Sequence, residues 1–275
     1  MLSKITKWQR IRTSGDLRYG LLSKNSRTNY QSCTFVFRIL VQGITTSMDL
    51  NQSGEEKLEN LSDLQIRDTL FGDLPFEDWP GEATDNIEAE PWRSFAIAGK
   101  QNAAGDLATA KSTLQDILRM TDLESRHYLQ AWHFLRQMNE QPPPEEAKHV
   151  YGVVVEVALE DGLDIVAAYE DLSARYFNYS GAAIIWEHPD NSLDENTKAL
   201  LQAGQTVAAQ IGPWDGPRPP APDSGQARIN MLTPAGLHFG QAPYDALAAD
   251  PLGGTVMRAA LQLMQGLIIK SGRDA

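Results

Sequence analysis

Residues 151–169, YGVVVEVALEDGLDIVAAY, decide the fold. Val153, Val155, Val157 and Leu159 alternate onto one side of a strand, and Val154 and Ala158 fall on the other. A strand that is apolar on both sides belongs inside a sheet rather than at its edge. Asp161-Gly162 is a hairpin turn signal, and Leu163–Tyr169 follows it as a second strand.

Downstream, Ala174–Tyr179 and Ala182–Glu187 read as two further strands joined at Ser180-Gly181. The turn His188-Pro189-Asp190-Asn191 leads into a helix with a Ser192/Glu195 capping box. Leu200, Leu201, Val207 and Ile211 give that helix its apolar side. A proline-rich loop spans residues 213–225. Arg228–Leu232 and Leu237–Gln241 then form a hairpin around Thr233-Pro234-Ala235-Gly236. The last helix starts behind Asp250 and Pro251, buries Val256, Ala260, Leu263, Met264 and Leu267, and ends at Lys270 and Gly272. The order ββββαββα with short links predicts an α+β domain over residues 145–275. It holds a six-stranded, mainly antiparallel sheet with helices on one face.

Upstream, residues 91–141 carry a helical period. One stripe runs through Leu107, Ala110, Leu114, Ile117 and Leu118, and another through Leu123, Tyr128, Ala131, Trp132, Leu135 and Met138. This predicts a small helical subdomain, separated from the sheet by a stiff hinge at Pro142-Pro143-Pro144.

Two stretches precede it. Residues 1–47 carry eight Lys and Arg against the single acid Asp16, a charge of +7; with the 275-residue chain at −12, the remainder stands at −19. This basic stretch reads as outside the working fold: an upstream start ahead of Met48, a targeting segment rich in Arg, Ser and Thr, or a retained basic arm. Residues 48–90 hold thirteen acids and two bases and read as a largely disordered acidic arm. Within it lies an aromatic island. Phe71, Phe76 and Trp79 between acids form a candidate motif for a protein partner with a basic rim. The plainer reading has the three aromatics packed on this protein's own core, since large aromatics are seldom exposed without reason.

The composition excludes several classes. An acidic body is a poor partner for nucleic acid and for an anionic membrane. No run of about 18 apolar residues predicts a membrane-spanning helix. The one cysteine, Cys33, lies in the basic stretch, so the body offers no disulfide, thiolate zinc site or cysteine nucleophile. The expectation is a soluble cytoplasmic protein, or one of an organelle matrix if residues 1–47 are a transit peptide.

The motifs fix no chemistry. Glu124-x-x-His127 and Glu146-x-x-His149 have a di-iron spacing, but the second falls at the hinge and the further carboxylates are missing. Asp190-x-Ser192-x-Asp194 lacks the Gly and Glu of a calcium loop. Ala98-Gly99-Lys100 lacks the rest of a phosphate loop, and there is no nucleophile elbow. No metal, cofactor or catalytic residue is expected.

One constellation suits a ligand. With Ile229, Met231, Leu237 and Phe239 toward the core, Arg228, Asn230 and His238 share the opposite face, and Tyr176 and Asn178 alternate together on the third strand. The leading expectation is therefore a non-enzymatic binding or adaptor protein. Its rival is an enzyme or small-ligand sensor using that polar face. The sequence leaves partner identity and oligomeric state open.

Overall fold

A computed structural model describes residues 63–79 and 89–272. The basic segment 1–47 lies outside the described residues, as do 48–62 and 80–88 of the acidic arm. The described chain begins with a short helix α1 (Asp63–Asp68) and a 3-10 turn (Phe76–Asp78). Three helices follow: α2 (Trp92–Ala103), α3 (Leu107–Arg119) and α4 (Ser125–Gln137). Asp106 starts α3 by accepting a hydrogen bond from the Thr109 N–H at 3.2 Å. The helices bury Phe95 and Ala98, Ala110 and Leu114, and Phe134 and Leu135 against one another.

The sheet comprises β1 (Gly152–Ala158), β2 (Leu163–Tyr169), β3 (Ala174–Phe177), β4 (Ala183–Trp186), β5 (Gln226–Thr233) and β6 (Gly236–Pro243). All neighbours are antiparallel, in the order β4-β3-β2-β1-β5-β6, so the Val-rich strand β1 is internal as its two apolar sides require. The long helix α5 (Asp194–Ala208) connects β4 to β5, and α6 (Tyr244–Ala249) and α7 (Gly253–Lys270) close the chain. Asp250 Oδ1 accepts from the N–H groups of Leu252 and Gly253 at 2.9 and 2.8 Å and so caps α7. The fold is thus α+β with a six-stranded antiparallel sheet. No helix among the described residues is long and apolar enough to cross a membrane.

The first face of the sheet, with Val153, Val155, Val157, Val166, Ile229 and Met231, is covered by α5 and α7. A side chain at Gly204 of α5 would place its Cβ 2.4 Å from Val153 Cγ2, so glycine lets this helix lie directly on β1. The second face is covered as well. Ile66, Leu70 and Phe71 from the arm and Leu129 from α4 join Val154, Ile165, Ala167, Tyr169 and Leu232 in a second core. The Tyr169 hydroxyl donates to the Leu70 carbonyl at 2.7 Å.

This placement corrects the expectation of a largely disordered arm for residues 63–79. There Ile66, Leu70 and Phe71 fall on one side and find an apolar sheet face to cover. The three aromatics assigned to a partner are engaged internally. Phe71 is buried under Arg218, Phe76 stacks on Phe134 with centroids 3.6 Å apart, and Trp79 meets Phe95 edge-on at 5.3 Å.

Candidate functional site

The five residues read as a polar ligand face do not form one surface. Pairing sets Asn230 opposite Phe239 and Met231 opposite His238, because the tight turn closes between Thr233 and Gly236. Directly opposed residues share a face, so His238 lies with Met231 on the first face, while Arg228 and Asn230 lie on the second. The sequence reading paired Phe239 with the wrong parity, and a one-residue slip exchanges the two faces.

His238 is fully buried, with Nδ1 3.4 Å from Thr233 Oγ1 and Nε2 lacking a protein partner. Burial pulls it down to about 4, so it is neutral at pH 7. Tyr176 is also buried on the first face, as an electrostatic neighbour of Asp164. Neither the Tyr176 hydroxyl nor Asp164 Oδ2 has a partner in full hydrogen-bond geometry. Burial pushes Asp164 up to about 7, against the Tyr179 N–H that donates to its Oδ1 at 2.7 Å. Asn178 shapes the β3–β4 turn: its Oδ1 accepts from the Ser180 N–H at 3.1 Å and the Ala182 N–H at 2.8 Å.

Arg228 and Asn230 belong to a buried ionic network around Glu156, which has no exposed surface. Arg67 Nε donates to Glu156 Oε1, and Asn230 Nδ2 donates to Oε2 at 3.0 Å. Arg228 Nη1 stands 3.5 Å from Oε2 and donates to the Pro220 carbonyl at 2.7 Å, while Arg67 Nη2 donates to the Pro219 carbonyl at 3.0 Å. The network fastens α1 and the proline-rich loop to the sheet and buries Arg228 and Asn230, the latter with an Oδ1 that has no hydrogen-bond partner. Buried charges persist only when paired and hydrogen-bonded in this way.

Beside the network the same elements leave a cleft of about 710 Å³. It is bounded by residues 71–73, α4, residues 213–218 of the proline-rich loop and the end of the β5–β6 hairpin. Gly72, at φ +60°, lets the arm pass α4 closely: a Cβ there would sit 2.8 Å from the Arg126 carbonyl oxygen. Leu129, Leu232 and Leu237 supply apolar lining. Trp214 forms one wall, its indole N–H donating to the Pro217 carbonyl at 2.9 Å and its ring set edge-on to Phe239. Arg218 lies 4.3 Å above the Phe71 ring and is held by Asp68 at 2.7 Å and Asp73 at 2.8 Å.

Two lining groups are incompletely matched. Asp73 gives Oδ2 to Arg218, whereas its buried Oδ1 has no protein hydrogen-bond partner. Arg136 donates from Nη1 to the Pro234 carbonyl, yet among the described residues no carboxylate stands within 4.0 Å of its guanidinium. Burial lowers Arg136 to about 10, with Asp73 opposing. His133 is brought down to about 4 by burial and, less strongly, by Arg136 and Arg218, so it lines the cleft as a neutral imidazole. The cleft therefore presents an aromatic wall, an apolar floor, a neutral His, the exposed Asp215 carboxylate, the Arg136 guanidinium with no carboxylate within 4.0 Å, and Asp73 with one buried, unpartnered oxygen. Thr233, its hydroxyl-bearing lining residue, donates to the Gly236 carbonyl at 2.9 Å, with His238 Nδ1 farther away at 3.4 Å. Among the described residues no three His, Cys, Asp or Glu side chains are grouped to hold a metal ion.

Compared with protein-family models, with curated proteins and with solved structures, the chain matches none of them.

Sequence reasoning missed Asp73, Arg136, Trp214 and Arg218. Trp214 inside a proline-rich loop was a usable signal, because a large aromatic in a stiff exposed loop seldom lacks a contact. The other three come together only through tertiary packing.

Proposed function

We propose that this protein is a non-enzymatic binding protein, a small-ligand carrier or sensor, whose site is the cleft between α4, the arm and the proline-rich loop. The observation that carries this reading is the cleft itself. At about 710 Å³ it falls in the range of small-molecule sites, and it combines apolar lining with a few convergent polar groups. The acidic, thiol-free body suits the cytoplasm.

The test is a thermal-shift screen of the full chain against a chemically diverse fragment set, repeated on Ala235→Trp. Ala235 lines the cleft beside the hairpin turn, and an indole there fills the space. The reading expects hits whose stabilisation of the wild type disappears in Ala235→Trp while that variant's unliganded melting temperature stays near wild type. Hits that stabilise both proteins equally would place the site elsewhere.

A further inference from the structure

Resting on that reading of the cleft, we infer that its ligand is a small zwitterion of the amino-acid or short-peptide class, with its carboxylate at Arg136 and its ammonium at Asp73. Both residues line the cleft, and each has capacity that the protein leaves unfilled. Arg136 bonds one backbone carbonyl, and its guanidinium has further N–H donors in the planar fork that matches a carboxylate. Asp73 holds Arg218 through one oxygen and keeps the other, buried and unpartnered, for a donor.

The two charges feel one another but do not meet, since no Arg136 nitrogen lies within 4.0 Å of an Asp73 oxygen. An opposite-charge pair that lines one cleft without meeting is answered by a ligand carrying both charges. A simple anion would leave the Asp73 oxygen unsatisfied, and a simple cation would face Arg136. The remaining surface fits an apolar or aromatic substituent, which would lie against Trp214, Leu129 and Leu237. Burying a charged group without its partner is costly, so the two ends together select for the zwitterion.

The experiment is calorimetric titration of the full chain with the twenty amino acids and a set of dipeptides. For each hit, two matched analogues follow: the amine lacking the carboxylate and the acid lacking the amine. For phenylalanine these are phenethylamine and 3-phenylpropionate. The zwitterion is expected to bind roughly tenfold to a hundredfold more tightly than either analogue, as the loss of one charge-assisted contact implies. Arg136→Gln and Asp73→Asn are expected to lose a similar factor, with Arg136→Lys retaining part of the affinity. The analogue series needs no mutant, so a variant that fails to fold does not remove the test. Analogues that bind as tightly as the parent would overturn the zwitterion while leaving the cleft as a ligand site. Fragments that bind in the cleft while every amino acid and dipeptide fails would do the same. Absence of any binder in the cleft, fragments included, would overturn both.

Discussion

Two buried titratable side chains on the first face of the sheet pull stability in opposite directions with pH. Asp164 is pushed by burial from 3.8 up to about 7, so the folded protein favours its protonated form. Its contribution is complete below about pH 4 and is lost as pH rises toward 7. That displacement corresponds to at most about 4 kcal/mol. His238 is drawn down from 6.5 to about 4, so the fold favours the neutral imidazole, and this contribution is lost as pH falls from 6.5 toward 4. Melting temperatures across pH 4–8 check both. Asp164→Asn is expected to be more stable than wild type at pH 8 and to fall more steeply toward acid. His238→Gln is expected to flatten the acid side. Parallel pH profiles for all three proteins would contradict both assignments. At this scale the sequence was a partial guide. It marked His238, Tyr176 and Asn178 as polar residues of the sheet, but only the register of the β5–β6 turn decides which face each one takes.

Among the elements, β1 was legible and α1 was not. Alternating valines announce an internal strand from sequence alone. In α1 only Leu64 and Ile66 are apolar, between two acids, and the residue that fixes its place, Arg67, meets a Glu156 that is 89 positions away. Glu156 itself gave no signal, because a single acid in a strand apolar on both sides does not name its counter-charge. The ionic network predicts a large effect. Glu156→Ala leaves the Arg67 and Arg228 guanidinium groups buried without their counter-charge and is expected to cost about 3–5 kcal/mol in chemical denaturation. Arg228→Met combined with Glu156→Ala should cost less than the two changes summed. Additive losses would show that the three side chains do not act as one unit.

Over the whole molecule, the segment from Asp63 to Trp79 unites the helical layer with the sheet and forms part of the cleft wall. Burial of one large apolar side chain stabilises by about 1.5–3 kcal/mol, so Ile66, Leu70 and Phe71 together approach the entire stability of a typical domain. Removing residues 1–62 is expected to leave the melting temperature unchanged within a few degrees. Removing residues 1–79 is expected to abolish cooperative melting, since it strips the second face and takes Arg67 from Glu156. Equal melting of the two truncations would mean that the arm contributes nothing. The α+β class was legible because each strand and helix carries its own period. The cleft was not, because Asp73, Arg136, Trp214 and Arg218 are brought together by packing alone.

The most direct test of the central claim, that this cleft is the ligand site, is a ¹H–¹⁵N NMR titration of the full chain with the hits of the thermal-shift screen. The account predicts shifts concentrated at residues 71–73, along α4, at residues 213–218 and at the β5–β6 turn. Shifts confined to another surface, with these amides unmoved at saturation, would contradict it.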